Sequence, residues 1–112
     1  MLLTTYNSQD QVFSLINQKR LDFLIAGEIK SAILNSINMD HQNVILDISG
    51  VHFIDTAAFG MLAELDELLP KLGYTFCLSG VSEEVNELIE LGICHSGLYL
   101  PNSCPEKPPM AA

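Results

Sequence analysis

Positive charge is scarce in this chain. Five lysines and arginines stand against fourteen aspartates and glutamates in 112 residues, for a formal net charge of −9. So few cations cannot form a stripe that neutralises many phosphates, which argues against a nucleic-acid ligand. The same shortage argues against direct docking on anionic headgroups. Cysteine is also sparse: Cys77, Cys94 and Cys104 are far apart and form no C-x-x-C pair. They read as reduced thiols in a cytosolic protein, with no disulfide or metal needed to make a core. No apolar run reaches the length of a membrane span. The N-terminus, MLLTTYNSQD, lacks the basic stretch and long apolar segment of a signal peptide. The expectation is a cytoplasmic protein without direct membrane insertion, linked to any membrane through a partner. Neither G-x-x-x-x-G-K-[ST] nor G-x-G-x-x-G occurs, so Gly50 and Gly60 do not form a phosphate cradle. No cofactor is expected.

Apolar residues, by contrast, are plentiful. At 48% hydrophobic and 17% charged, the composition is that of one compact domain. Leu2 to Tyr6 and Val12 to Ile16 read as strands, and the turn formers Asn7-Ser8-Gln9-Asp10 between them predict a hairpin. Asp22 is a candidate N-cap for a first helix. Leu24, Ile25, Ile29, Ala32, Ile33 and Ile37 recur there at helical spacing, with Glu28, Lys30 and Asn35 opposite. A polar connector, Asn38 to Gln42, leads to Val44–Ile48, whose continuous apolar run suits a strand buried on both faces of a parallel sheet.

A second helix is expected from about Thr56 to Leu69. Its inward stripe is Ala58, Leu62, Leu65 and Leu69, and Ala57, Met61, Glu64 and Glu67 lie mainly on the other side. Gly73 ends that unit and Tyr74 to Ser79 forms the next strand. Two strands joined through one helix make a parallel, right-handed crossover. Ser82 is placed to cap a third helix, with Glu83 and Glu84 suited to its dipole and Val85, Leu88 and Ile89 facing inward. Gly92 suits the end of that helix, and Gly97 to Leu100 reads as a last edge strand. The expected class is α/β, a small mixed β-sheet with helices packed against it: a hairpin, then a β-α-β-α-β order. The domain spans residues 1–100. Residues 101–112, which hold four of the five prolines, read as a mobile tail.

The chemistry concentrates between Asn43 and Leu69. An apolar strand runs into a short loop, and the loop delivers Asp55-Thr56 to a helix start. A helix N-terminus carries unpaired N–H groups and partial positive charge, so it favours a phosphate. That pattern suits a hydroxyl that is modified or read by a partner better than it suits a nucleophile. Thr56 as phosphoacceptor stands against Thr56 as a plain helix-starting residue. Asp55 either orients Thr56 or serves as an ordinary N-cap. Asp47 reads as a strand-end carboxylate that bonds loop amides. Cys94-His95 lacks the neighbours that catalysis or zinc would require, and His52 lines the loop. The series Glu83, Glu84, Glu87 and Glu90 reads as a solvated helix face.

Three segments resemble the STAS domain family (sulfate transporter and anti-sigma factor antagonist). They are Arg20-Leu21-Asp22, the stretch ILDISGVHFIDTAAFGML, and Cys77 to Val85 running on to Leu91-Gly92-Ile93. The resemblance implies a protein that docks on partners and has no enzymatic activity. In its signalling branch, an antagonist domain binds an anti-sigma factor with the fold of a serine/threonine switch kinase. Phosphorylation at the helix start breaks that complex. The family's usual D-S-S-G reads Asp55-Thr56-Ala57-Ala58 here, so Ala57 fills the commoner phosphoacceptor slot and Thr56 inherits the role. The implied contact surface is His52, Phe53, Asp55, Thr56, Ala57, Gly60, Met61 and Glu64. A second implied role is the cytoplasmic subunit of an ABC-type lipid transporter, docked on its ATPase. Dimerisation stays open.

Overall fold

A computed structural model describes residues 2–37 and 43–88. The order of elements is β1 (Leu3–Asn7), β2 (Gln11–Ile16), β3 (Arg20–Leu21), α1 (Phe23–Ser36), β4 (Asn43–Asp47), β5 (Phe53–Ile54), α2 (Thr56–Lys71), β6 (Thr75–Ser79) and α3 (Glu83–Leu88). The main sheet is ordered β1-β2-β4-β6. β1 and β2 form the expected antiparallel hairpin, closed by Ser8 N–H donating to Gln11 O at 2.8 Å. β2, β4 and β6 run parallel, with β4 between its neighbours. Val44, Ile45 and Leu46 are all buried, as a strand covered on both faces requires. The mixed sheet with packed helices matches the expected class.

Each helix start has its own capping residue. Asp22 has an extended backbone and accepts from Leu24 N–H at 3.1 Å. Asp55 does the same for Ala58 N–H at 2.8 Å. Ser82 Oγ accepts from Val85 N–H at 3.2 Å. The far end of α2 closes by a pair of crossed hydrogen bonds. Tyr74 N–H donates to Leu69 O and Gly73 N–H to Pro70 O, with Gly73 at φ 94°. That is a Schellman ending, which needs a left-handed residue at the glycine position. Pro70 is tolerated in this last turn of the helix.

The core joins α1, α2 and α3 to the sheet through Ile29, Ile33, Leu46, Phe59, Leu62 and Val85, all essentially inaccessible to solvent. Two helix-face assignments need correction. Leu24 is 72% exposed, whereas Ala26 faces inward with Ile29 and Ile33. Leu24 lies five residues from Ile29, about 140° around the helix, so it cannot share that stripe. Met61 is only 4% exposed and belongs to the core. It lies one turn before Leu65, about 40° away, and therefore falls inside the inward stripe. Phe59, also buried, joins that stripe.

Two further findings depart from expectation. β3 and β5 form a separate two-stranded parallel pair, Arg20 beside Phe53 and Leu21 beside Ile54. Strands of two residues have no periodicity to read. Cys77 on β6 is disulfide-bonded, against the expectation of reduced thiols. Wide spacing in sequence does not forbid a bridge, because only proximity in the fold decides it. The connector Asn38 to Gln42, Ile89, Gly92, Cys94-His95, the strand at Gly97 to Leu100 and the tail from Pro101 lie outside the described residues.

Candidate functional site

The loop between β4 and α2 collects the starts of α1, α2 and α3. Asp47 closes β4 by accepting from Ser49 N–H at 2.8 Å, the strand-end role expected of it. The chain then turns through Val51, which is buried, and His52, which is exposed. His52 N–H donates to Lys19 O at 2.8 Å, and this bond together with the β3–β5 pairing fixes the loop against the segment before α1. Ser82 Oγ donates to Val51 O at 2.8 Å, which ties in the start of α3.

Asp55 is the centre of this arrangement. Oδ1 accepts from Ala58 N–H at 2.8 Å, within its own helix. Oδ2 accepts from Phe23 N–H at 2.9 Å, the first amide of α1. One carboxylate therefore serves orphan donors of two helices. Thr56 begins α2 with its side chain exposed, and Ala57 beside it is exposed too. Gly60 is half-buried. Glu64, further along α2, is exposed and pairs with Lys30 of α1 at 2.7 Å. Met61, expected on the same surface, points into the core instead.

Several residues of this neighbourhood were not assigned to the contact surface from sequence. Phe23 is 67% exposed and Leu24 72%, an unusual exposure for two large apolar side chains in succession. The outward phase of Leu24 follows from the inward Ile33, nine residues on and about 180° around the helix. The Arg20 guanidinium lies 4.3 Å from the centroid of the Phe53 ring. It also approaches Asp22 at 3.7 Å. Glu84 meets His52 Nδ1 at 2.9 Å. The Glu84 carboxyl is held below the usual glutamate range, first by a hydrogen bond from its own backbone amide and then by the bond to His52.

Among the described residues, no group of three histidine, cysteine or acidic side chains could hold a metal ion. A groove of about 280 Å³ opens between α1 and α2, lined by Lys30, Glu64, Glu67, Leu68 and Lys71. Its charges are matched internally, Lys30 with Glu64 and Lys71 with Glu67 at 3.2 Å. What the region offers is a surface: a hydroxyl and one exposed small residue, Ala57, at a helix start that bonds the first amide of α1, where Phe23 and Leu24 are exposed. No helix among the described residues is long and apolar enough to cross a membrane.

The fold has counterparts among solved structures. A putative anti-sigma factor antagonist from Thermotoga maritima superposes with a TM-score of 0.63 at 17% identity, covering 88% of this chain and 84% of that one. The anti-sigma factor antagonist SpoIIAA in its unphosphorylated form gives 0.60 at 16% identity, over 97% and 93% of the two chains. The murine anion transporter Solute Carrier 26 family member A9 gives 0.66 at 22% identity over 88% of this chain. The chain spans only 17% of that transporter's length. No curated protein matches the chain in sequence. At these identities the structures speak for the fold. The sequence profile of the STAS domain, however, matches residues 5–99, from β1 through the whole β4–loop–α2 segment and beyond. On that match, the chain belongs to the STAS domain family.

Proposed function

We propose that the protein is a non-enzymatic regulatory module of the anti-sigma factor antagonist type, acting in the cytoplasm by docking on a switch kinase or anti-sigma factor. The observation that carries this reading is the exposed Thr56 hydroxyl at the first position of α2, next to an aspartate already engaged in capping. The docking surface in this reading is His52, Phe53, Thr56 and Ala57, extended by Gly60 and Glu64 and by the exposed Phe23 and Leu24. Met61 is left out because it is buried. Phosphorylation of Thr56 would add about −1.5 to −2 charges where a partner meets a hydroxyl. Family membership and the SpoIIAA-like fold support the general role. The cytoplasmic assignment rests on the family alone, since the disulfide at Cys77 removes the argument from free thiols.

The test begins with capture of the tagged protein from its own cells, identification of the bound proteins, and inspection of the Thr56 peptide for phosphate. Binding of the purified partner is then compared for Thr56→Glu and Thr56→Ala. A partner with a kinase-type ATPase fold, bound at least about tenfold more weakly by the glutamate variant than by the alanine variant, supports the switch. Equal affinities refute it. An ABC-type ATPase with its permease, and an unmodified Thr56, would instead make the protein a transporter subunit in which the hydroxyl is a docking contact.

A further inference from the structure

We infer that Asp55 is a positioning residue that couples Thr56 to the exposed Phe23–Leu24 pair, so that negative charge added at Thr56 releases the start of α1. The inference rests on the proposed role of Thr56 and deepens it. The phosphate would then act by displacing part of the docking surface as well as by its own bulk.

The geometry points to this through the two oxygens of one carboxylate. Oδ1 accepts from Ala58 N–H and Oδ2 from Phe23 N–H. The α1 cap, Asp22, spends its side chain on Leu24 N–H and does not serve Phe23. Phe23 N–H is therefore satisfied from a residue 32 positions away. The bond to Ala58 is local, fixed by the extended backbone of Asp55 at its own helix start. The bond to Phe23 is tertiary, and it sets where α1 begins relative to α2.

Among the described residues, no ion pair steadies that carboxylate, and nearby Arg20 is engaged with Asp22 and the Phe53 ring. Asp55 is held by neutral N–H donors and by the positive ends of two helices. Thr56 is the next residue, at the same helix mouth. A phosphate there brings a second anion and three acceptor oxygens to the N–H groups that Asp55 uses. Like charges on adjacent side chains repel, and the carboxylate can relieve the repulsion by turning away. The local Ala58 bond survives a small rotation more readily than the bond to Phe23. Freed of it, the first turn of α1 shifts, carrying Phe23 and Leu24 with it. A partner seated on those two apolar side chains would lose that contact without being touched by the phosphate.

The test needs no partner. Hydrogen exchange at the Phe23 amide is measured by NMR in the full chain for wild type, Thr56→Glu and Thr56→Gln. Asp55→Ala sets the scale for a fully released amide. Where that variant does not fold, the Thr56 pair decides alone. The expected result is exchange at Phe23 about tenfold faster in Thr56→Glu, with Thr56→Gln at the wild-type rate and Ile33 unchanged in both. A merely structural role for Thr56 would move the Gln and Glu variants together. Exchange at Phe23 in Thr56→Glu equal to wild type, or equal to that in Thr56→Gln, overturns the inference. Failure here is separable from failure of the switch. If Thr56→Glu weakens partner binding with Phe23 unmoved, the switch stands and the coupling falls. If Phe23 is released but partner affinity holds, the coupling stands and the switch falls.

Discussion

In the four-stranded sheet, β4 has a hydrogen-bonded neighbour on each side, and its Val44, Ile45 and Leu46 are buried. In the β3–β5 pair, each strand has two residues: Leu21 and Ile54 are buried, whereas Arg20 is exposed and Phe53 half-buried. The first region is held by many non-directional contacts, none of which is decisive alone. The second adds to its two buried residues a few directional contacts: the cation over the Phe53 ring, His52 N–H on Lys19 O, and the shared carboxylate of Asp55. Such contacts add little stability but fix positions closely. A docking surface needs positions, so the contrast suits the two regions to different tasks.

Mutations sharpen that contrast. The largest loss is expected from Phe59→Ala in the core, about 3–5 kcal/mol, read as a shift of the urea midpoint at unchanged slope. Gly80→Ala comes next. Gly80 has φ +72°, and a Cβ there would sit 2.6 Å from Ser49 Cβ. The expected cost is about 2–3 kcal/mol by the same measurement. Asp55→Ala removes the acceptor of two helix amides, at about 1–2 kcal/mol. Its effect on partner affinity should exceed its effect on folding. An equal effect on both would erase the distinction between the two regions. Arg20→Ala should cost only about 0.5–1 kcal/mol, through the ring contact.

The smallest effect concerns pH. The Glu84 carboxyl titrates below the usual range when folded, so its contribution to stability is present above the ordinary glutamate value. That contribution is lost as pH falls through the lowered folded value. Carboxyl NMR titration of His52→Ala should move the Glu84 midpoint upward but only part of the way, because the backbone amide is the larger cause. Full return to the ordinary value would make His52 the main cause.

How much of this was legible in the sequence follows the same division. β4 and the inward residues Leu62, Leu65 and Leu69 announce themselves by apolar runs and helical spacing, since burial imposes a pattern on many residues at once. The caps Asp22 and Asp55 are legible because capping chemistry is local. β3 and β5 are not, being too short to carry a period. The bond from Phe23 N–H to Asp55 is tertiary, and a backbone donor leaves no trace in residue type. Leu24 lies about 140° from Ile29 and Met61 about 40° from Leu65, so a stripe anchored on those two residues would have put the first outside and the second inside.

The register of the main sheet has a consequence for how the chain folds. Gln11 pairs with Asn43, and Asn43 with Thr75, so both parallel pairings close over the same distance of 32 residues. Loop-closure entropy, which grows only slowly with length, therefore does not favour one closure over the other. The β1–β2 hairpin is local and can form within microseconds, ahead of either. β4 must arrive before both pairings exist, because it is the partner in each. Docking of β4 is therefore expected to limit folding, and truncations such as Ile45→Ala or Leu46→Ala should slow refolding more than equally destabilising changes in β1.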